Sequence, residues 1–81
     1  MEIIKSEEVA KLLESANIRD EEVSEVLQWA EETGENKFYH PETGRCLASK
    51  RIGEAVYWVL YSPADSGYAI HSAYWHKSIL S

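Results

Sequence analysis

Cysteine occurs once, at Cys46, so no disulfide can form within the chain. No apolar run approaches the ~20 residues that a membrane-spanning helix needs. The opening stretch MEIIKSEEVAKLL is acidic and amphipathic, with no basic region leading into an uninterrupted apolar segment, so a signal peptide is not expected. These absences predict a cytoplasmic protein whose lone thiol stays reduced. Proline occurs twice and glycine four times in 81 residues, too few for a linker or a low-complexity segment. There is no GxGxxG, no phosphate-binding loop, no GxSxG and no HExxH, so neither a cofactor nor catalytic residues are expected. Histidine and cysteine total four, at His40, Cys46, His71 and His76. None forms the close pairs that zinc sites use, and His71 and His76, five apart on an expected strand, point to opposite faces. No metal is therefore expected. Cys46 lies early in an expected strand beside Leu47 and Ala48, which suits an inert buried thiol.

Basic charge is scarce in the first half. Residues 1–35 hold three basic groups against eleven acidic ones, and residues 36–81 hold five against three, giving −8 and +2 within a total of −6. The acidic half has helical spacing. Val9, Leu12, Leu13 and Ala16 fall on one face, with Ser6 placed to cap the first turn and Glu7 and Glu8 at the positive end of the dipole. Ile3 or Ile4 is expected to pack back onto that turn as a staple. Val23, Val26, Leu27 and Ala30 repeat the pattern after Asp20, the expected second cap, and Gly34 is the expected stop. The short link between predicts an αα-hairpin over residues 6–34. Trp29 lies off the stripe.

The second half reads as strands. KFYHPETGRCLASKRIG is strand, turn and strand, with Pro41 and Gly44 in the turn. Ala55–Tyr61 and Tyr68–Lys77 are long strands rich in Val, Tyr and Trp, and the polar SPADSG between them is expected as a turn. Short connections predict antiparallel neighbours. The expected fold is a single α+β domain spanning 1–81: an N-terminal αα-hairpin packed in two layers on a three- to four-stranded antiparallel meander over 37–78.

Six of the nine aromatic residues lie between Tyr57 and Trp75, and their faces matter. Strict alternation places Tyr68, Ile70, Ser72 and Tyr74 toward the helices and His71 and Trp75 outward. In Ala55–Tyr61 both faces are apolar, so a second cover is expected: a sister subunit, another protein, or Ser78–Ser81 with long basic side chains. Trp58, His71, Trp75 and Lys50 are the candidate partner-binding residues of the outer face. A bulge in the last strand would swap the faces and bring Tyr74 out.

The stretch FYHPETGRCLASKRIGEAVYWVLYSPADSGYAIHSAYWHKS, with Glu42-Thr43-Gly44-Arg45, Tyr57-Trp58-Val59, Ser62-Pro63 and Ala73-Tyr74 followed by His76, resembles a small bacterial domain family. Its members occur alone or beside FAD/NAD(P)-dependent oxidoreductases of the glutamate synthase small-subunit type. That resemblance implies a non-catalytic accessory module, docking onto an oxidoreductase subunit or forming a homo-oligomer. The alternative is a binder of single-stranded nucleic acid or nucleotides that uses an aromatic sheet face, a composition that fits stacking but that the net charge of −6 opposes.

Overall fold

The computed structural model describes residues 2–77. It is an α+β fold with two helices and one open, mixed five-stranded sheet. In chain order the elements are β1 (Glu2–Lys5), α1 (Glu7–Ser15), α2 (Asp20–Thr33), β2 (Lys37–His40), β3 (Arg45–Ile52), β4 (Ala55–Ala64) and β5 (Gly67–Lys77). The sheet order is β1-β5-β4-β3-β2, antiparallel throughout except where β1 lies parallel to β5.

The helices begin and end for local reasons. The Ser6 hydroxyl accepts the Val9 N–H at 3.1 Å and caps α1. At α2 the Glu22 carboxylate accepts the Arg19 N–H at 2.8 Å, so the capping residue is Arg19. Asp20, expected as that cap, instead meets Lys5 of β1 at 2.6 Å. Gly34 ends α2 at φ +71°, a left-handed conformation that a side chain disfavours. Leu13, Val23, Val26, Leu27 and Ala30 are buried against Cys46, Ala48, Val59, Tyr61, Ile70 and Ala73. Ile18, in the helix link, is buried with them. Leu12, expected in the core, is 42% exposed.

Three expectations need correction. The first concerns Ile3 and Ile4, which form β1 rather than a staple and extend the expected antiparallel meander to a mixed sheet. β1 approaches β5 so closely that a Cβ at Gly67 would lie 2.1 Å from the Glu2 carbonyl oxygen. Second, Ser62-Pro63-Ala64 is strand, not turn, and pairs with Gly67–Ala69. Pairing between β3 and β4 stops at Cys46↔Tyr61, so Pro63 lies where β4 has a free edge and its missing N–H costs no ladder bond.

The third correction decides the faces. Leu60 pairs with Ser72, but Tyr61 pairs with Ile70, so His71 is an extra residue in β5. This bulge breaks the alternation. Tyr68 and Ile70 face the helices before it, and Ala73 and Trp75 after it. Ser72 and Tyr74, expected inward, turn to the open face, where Ser72 pairs with Leu60 and Tyr74 with Trp58. The expected cover of Ser78–Ser81 lies outside the described residues.

Candidate functional site

Both helices lie against one face of the sheet, and their carboxylates reach down to it. Tyr57 Oη donates to Glu22 at 2.9 Å, Tyr61 Oη to Glu31 at 2.6 Å and Tyr68 Oη to Glu31 at 3.2 Å. Lys37 Nζ meets Glu31 at 2.6 Å. Burial acts to raise both carboxyls. It is outweighed at Glu31 by hydrogen bonds from Lys37 and Tyr61, and at Glu22 by those from the Arg19 backbone and Tyr57, so both fall below the ordinary glutamate range. The Glu31 hydrogen bond raises Lys37. Burial first, then the neighbouring glutamate, raises Tyr57, Tyr61 and Tyr68. This face is a cross-linked structural interface.

Two expected binding residues belong to that side. Lys50 reaches Glu25 at 2.5 Å, with its ammonium 5.6 Å from the centre of the Trp29 ring. Trp75 donates from Nε1 to the Ala16 carbonyl oxygen at 2.7 Å, satisfying a carbonyl at the C-terminal end of α1. Its ring is 6.3 Å from that of Tyr57. The bulge at His71 turned Trp75 inward. Lys50 is inward because it pairs with Tyr57, not with Trp58.

Trp58 and His71 do lie on the open face. Trp58 stacks on Tyr74 across β4 and β5, with ring centres 6.0 Å apart and planes within 8°. Trp58 Nε1–H donates to His76 Nε2 at 3.3 Å. Tyr74 is 50% exposed. Phe38, opposite Leu47 on the edge strand, shares the face and is 56% exposed. Sequence reasoning missed Phe38, because a single residue in a four-residue strand has no alternation to place it. Register pairing puts Arg45 with His40 on this face, and Arg51 with Val56.

His71 Nε2 lies 2.7 Å from Ser62 Oγ, both half-buried. Burial and then the Arg45 charge hold the imidazole below its ordinary value, so it is a neutral partner for the hydroxyl. A serine–histidine contact of this length resembles a nucleophile and its base. However, among the described residues no carboxylate bonds the other imidazole nitrogen to orient it. A hollow of about 380 Å³ lies beside Arg45, lined also by His40, Pro41, Glu42, Thr43 and Leu60. Among the described residues, no three His, Cys, Asp or Glu side chains converge as a metal site. Among the described residues, no helix is long and apolar enough to cross a membrane. Compared with known proteins, the chain matches no family model, no curated protein and no solved structure.

Proposed function

We propose that the chain is a non-catalytic binding module that docks through the open face of its sheet, the helical hairpin and the sheet forming its two layers. One observation carries this reading: both helices pack on one face, while no described element covers the other, where exposed Phe38 and Tyr74 flank a half-buried Trp58. Exposed rings grouped on one flat face are the composition of a binding surface, and aromatic residues supply much of the affinity at such surfaces. The resemblance to accessory domains of FAD/NAD(P)-dependent oxidoreductases makes a subunit of such an enzyme one partner for this face. A second copy of the chain fits less well, because two open faces brought together would oppose Arg45 and Arg51 with the same basic groups.

Photo-crosslinking inside the host tests the reading. A photoreactive residue at position 74, on the open face, is expected to give discrete adducts. The same residue at position 28, exposed on α2, is expected to give none. Equal adducts from both positions, or adducts from position 28 alone, would rule out the open face as the docking surface.

A further inference from the structure

The basic side chains of the sheet divide between its faces. Lys5, Lys37 and Lys50 point to the helices and end on Asp20, Glu31 and Glu25. Arg45 and Arg51 alternate onto the open face, and among the described residues neither has an ion-pair partner. Among the described residues, the Arg51 side chain hydrogen-bonds only from Nε to the Gly53 carbonyl oxygen, at 3.1 Å. Strands β2 to β5 contain no Asp or Glu, though Glu42 of the turn between β2 and β3 lines the hollow beside Arg45. Glu2 of β1 stands at the far corner of the face, where Ser66 donates to it at 3.1 Å.

We infer that the open face binds single-stranded nucleic acid, with bases stacked on the Trp58–Tyr74 pair and on Phe38, and with phosphates at Arg45 and Arg51. The inference rests on the open face being the docking surface and names what docks there. Three observations support this occupant. First, the Trp58 and Tyr74 planes are parallel within 8°, which gives a base a matching plane to stack against. Only unpaired bases offer that contact, so a duplex does not fit.

Second, Arg45 and Arg51 lie six residues apart on one strand, roughly 20 Å at ~3.3 Å per residue. Ser49, the β3 residue level with Trp58 and Tyr74, lies between them. The face therefore alternates cation, rings and cation along a path that suits on the order of four nucleotides, the low end for a single fold. A neutral apolar partner would instead desolvate two unpaired guanidinium groups.

Third, nine of the fourteen acidic residues sit on α1 and α2, in the opposite layer. The carboxylates of α1 and α2 lie behind the sheet, and packed layers are ~10 Å apart. Glu31 and Glu25 there are also paired with Lys37 and Lys50, which offsets part of their repulsion at the open face.

The test is a titration of the full-length chain, labelled with ¹⁵N, with oligothymidylate and oligouridylate. Amide shifts are expected on β2 to β5 at Phe38, Trp58 and Tyr74 and their neighbours. For binding through two phosphates, log affinity should fall with log salt at a slope of about −1.4. Tyr74→Ala should weaken binding on the order of tenfold, the loss of one stacking contact. Arg51→Gln should flatten the salt slope by about 0.7. Lys50→Gln, the same loss of charge one residue earlier and on the opposite face, should leave both unchanged.

Shifts from neither oligonucleotide would overturn the inference, and so would equal weakening by Lys50→Gln and Arg51→Gln. Polyglutamate that shifts the open face where the oligonucleotides do not would also overturn it, in favour of an acidic protein partner. In that case the open face would still stand as the docking surface.

Discussion

The two faces of the sheet are built from alternate residues of the same strands, yet they handle polar groups in opposite ways. On the helix side, tyrosine hydroxyls and lysine ammonium groups run into carboxylates of α2, so Tyr57, Tyr61, Tyr68, Lys37 and Lys50 all end on glutamates. On the open side, Arg45 and Arg51 form no ion pair among the described residues, and Trp58 stacks on Tyr74 and donates to His76. The difference shows that the acidic helices are more than a solvated face. Glu22 and Glu31 fasten α2 to the sheet, and in doing so they take up basic groups that would otherwise remain free. The positive charge left over collects on the face that no helix covers.

The largest effect should come from the buried side. Leu27 is fully buried in the core, and Leu27→Ala should destabilise the fold by about 2–5 kcal/mol in chemical denaturation. Leu60→Ala, on the half-buried open face, should cost clearly less. Equal costs would mean that the two faces are equally packed and would dissolve the comparison.

Glu31→Leu should come next, at about 1–3 kcal/mol, because it leaves the buried Tyr61 hydroxyl and the Lys37 ammonium without their shared acceptor. Its pH dependence has a definite sign. The folded carboxyl titrates below its unfolded value of about 4.3, so its stabilisation is fully present above that pH. It is lost as pH falls through the lower, folded value. Acid titration of the wild type and of Glu31→Leu should therefore begin to converge as pH falls below about 4.3. Curves that stay parallel would show that Glu31 is not linked to folding.

Much of the helical half was legible in the sequence, because a period of 3.6 with a serine cap and a glycine stop admits few other structures. Ser6, Gly34 and the stripe from Val23 to Ala30 stand where the spacing put them. The sheet was legible only in outline. Two isoleucines after Glu2 carry no period, so the sequence there suits a staple as well as a strand. The trace of β1 in the sequence is distant: Gly67 leaves the room that the Glu2 backbone fills. The candidate site depended on parity within β5, and one inserted residue reverses parity for everything after it. His71 has no sequence feature that marks a bulge. Trp75 and Tyr74 consequently exchanged faces, while Trp58 and His71 remained on the open one.

Trp75→Phe tests that exchange with a smaller effect. It keeps an aromatic ring beside Tyr57 but removes the N–H that the Ala16 carbonyl oxygen accepts, at a cost of about 0.5–1.5 kcal/mol. Hydrogen exchange should locate the loss in the last turn of α1. An unchanged exchange rate there would return Trp75 to the outer face.

The smallest effect on stability should come from Tyr74, next to Trp75 in the chain but on the other face. Its ring is half exposed, and no described residue hydrogen-bonds its hydroxyl, so its one directional contact is the stack on Trp58. Removing the ring exposes one face of Trp58 and empties no enclosed cavity. Tyr74→Ala should therefore shift the denaturation midpoint by an amount corresponding to about 0.5 kcal/mol or less, plus a share of the stacking energy. A loss of several kcal/mol would mean that the ring is covered and part of a core, leaving no open surface there to bind anything. A near-neutral melt, combined with the loss of oligonucleotide binding, would separate the residue's contribution to binding from any contribution to folding. Measured on the same two samples, the melts of Tyr74→Ala and Trp75→Phe give the order of the two faces directly, because strand parity allows only one of these adjacent side chains to reach the helices.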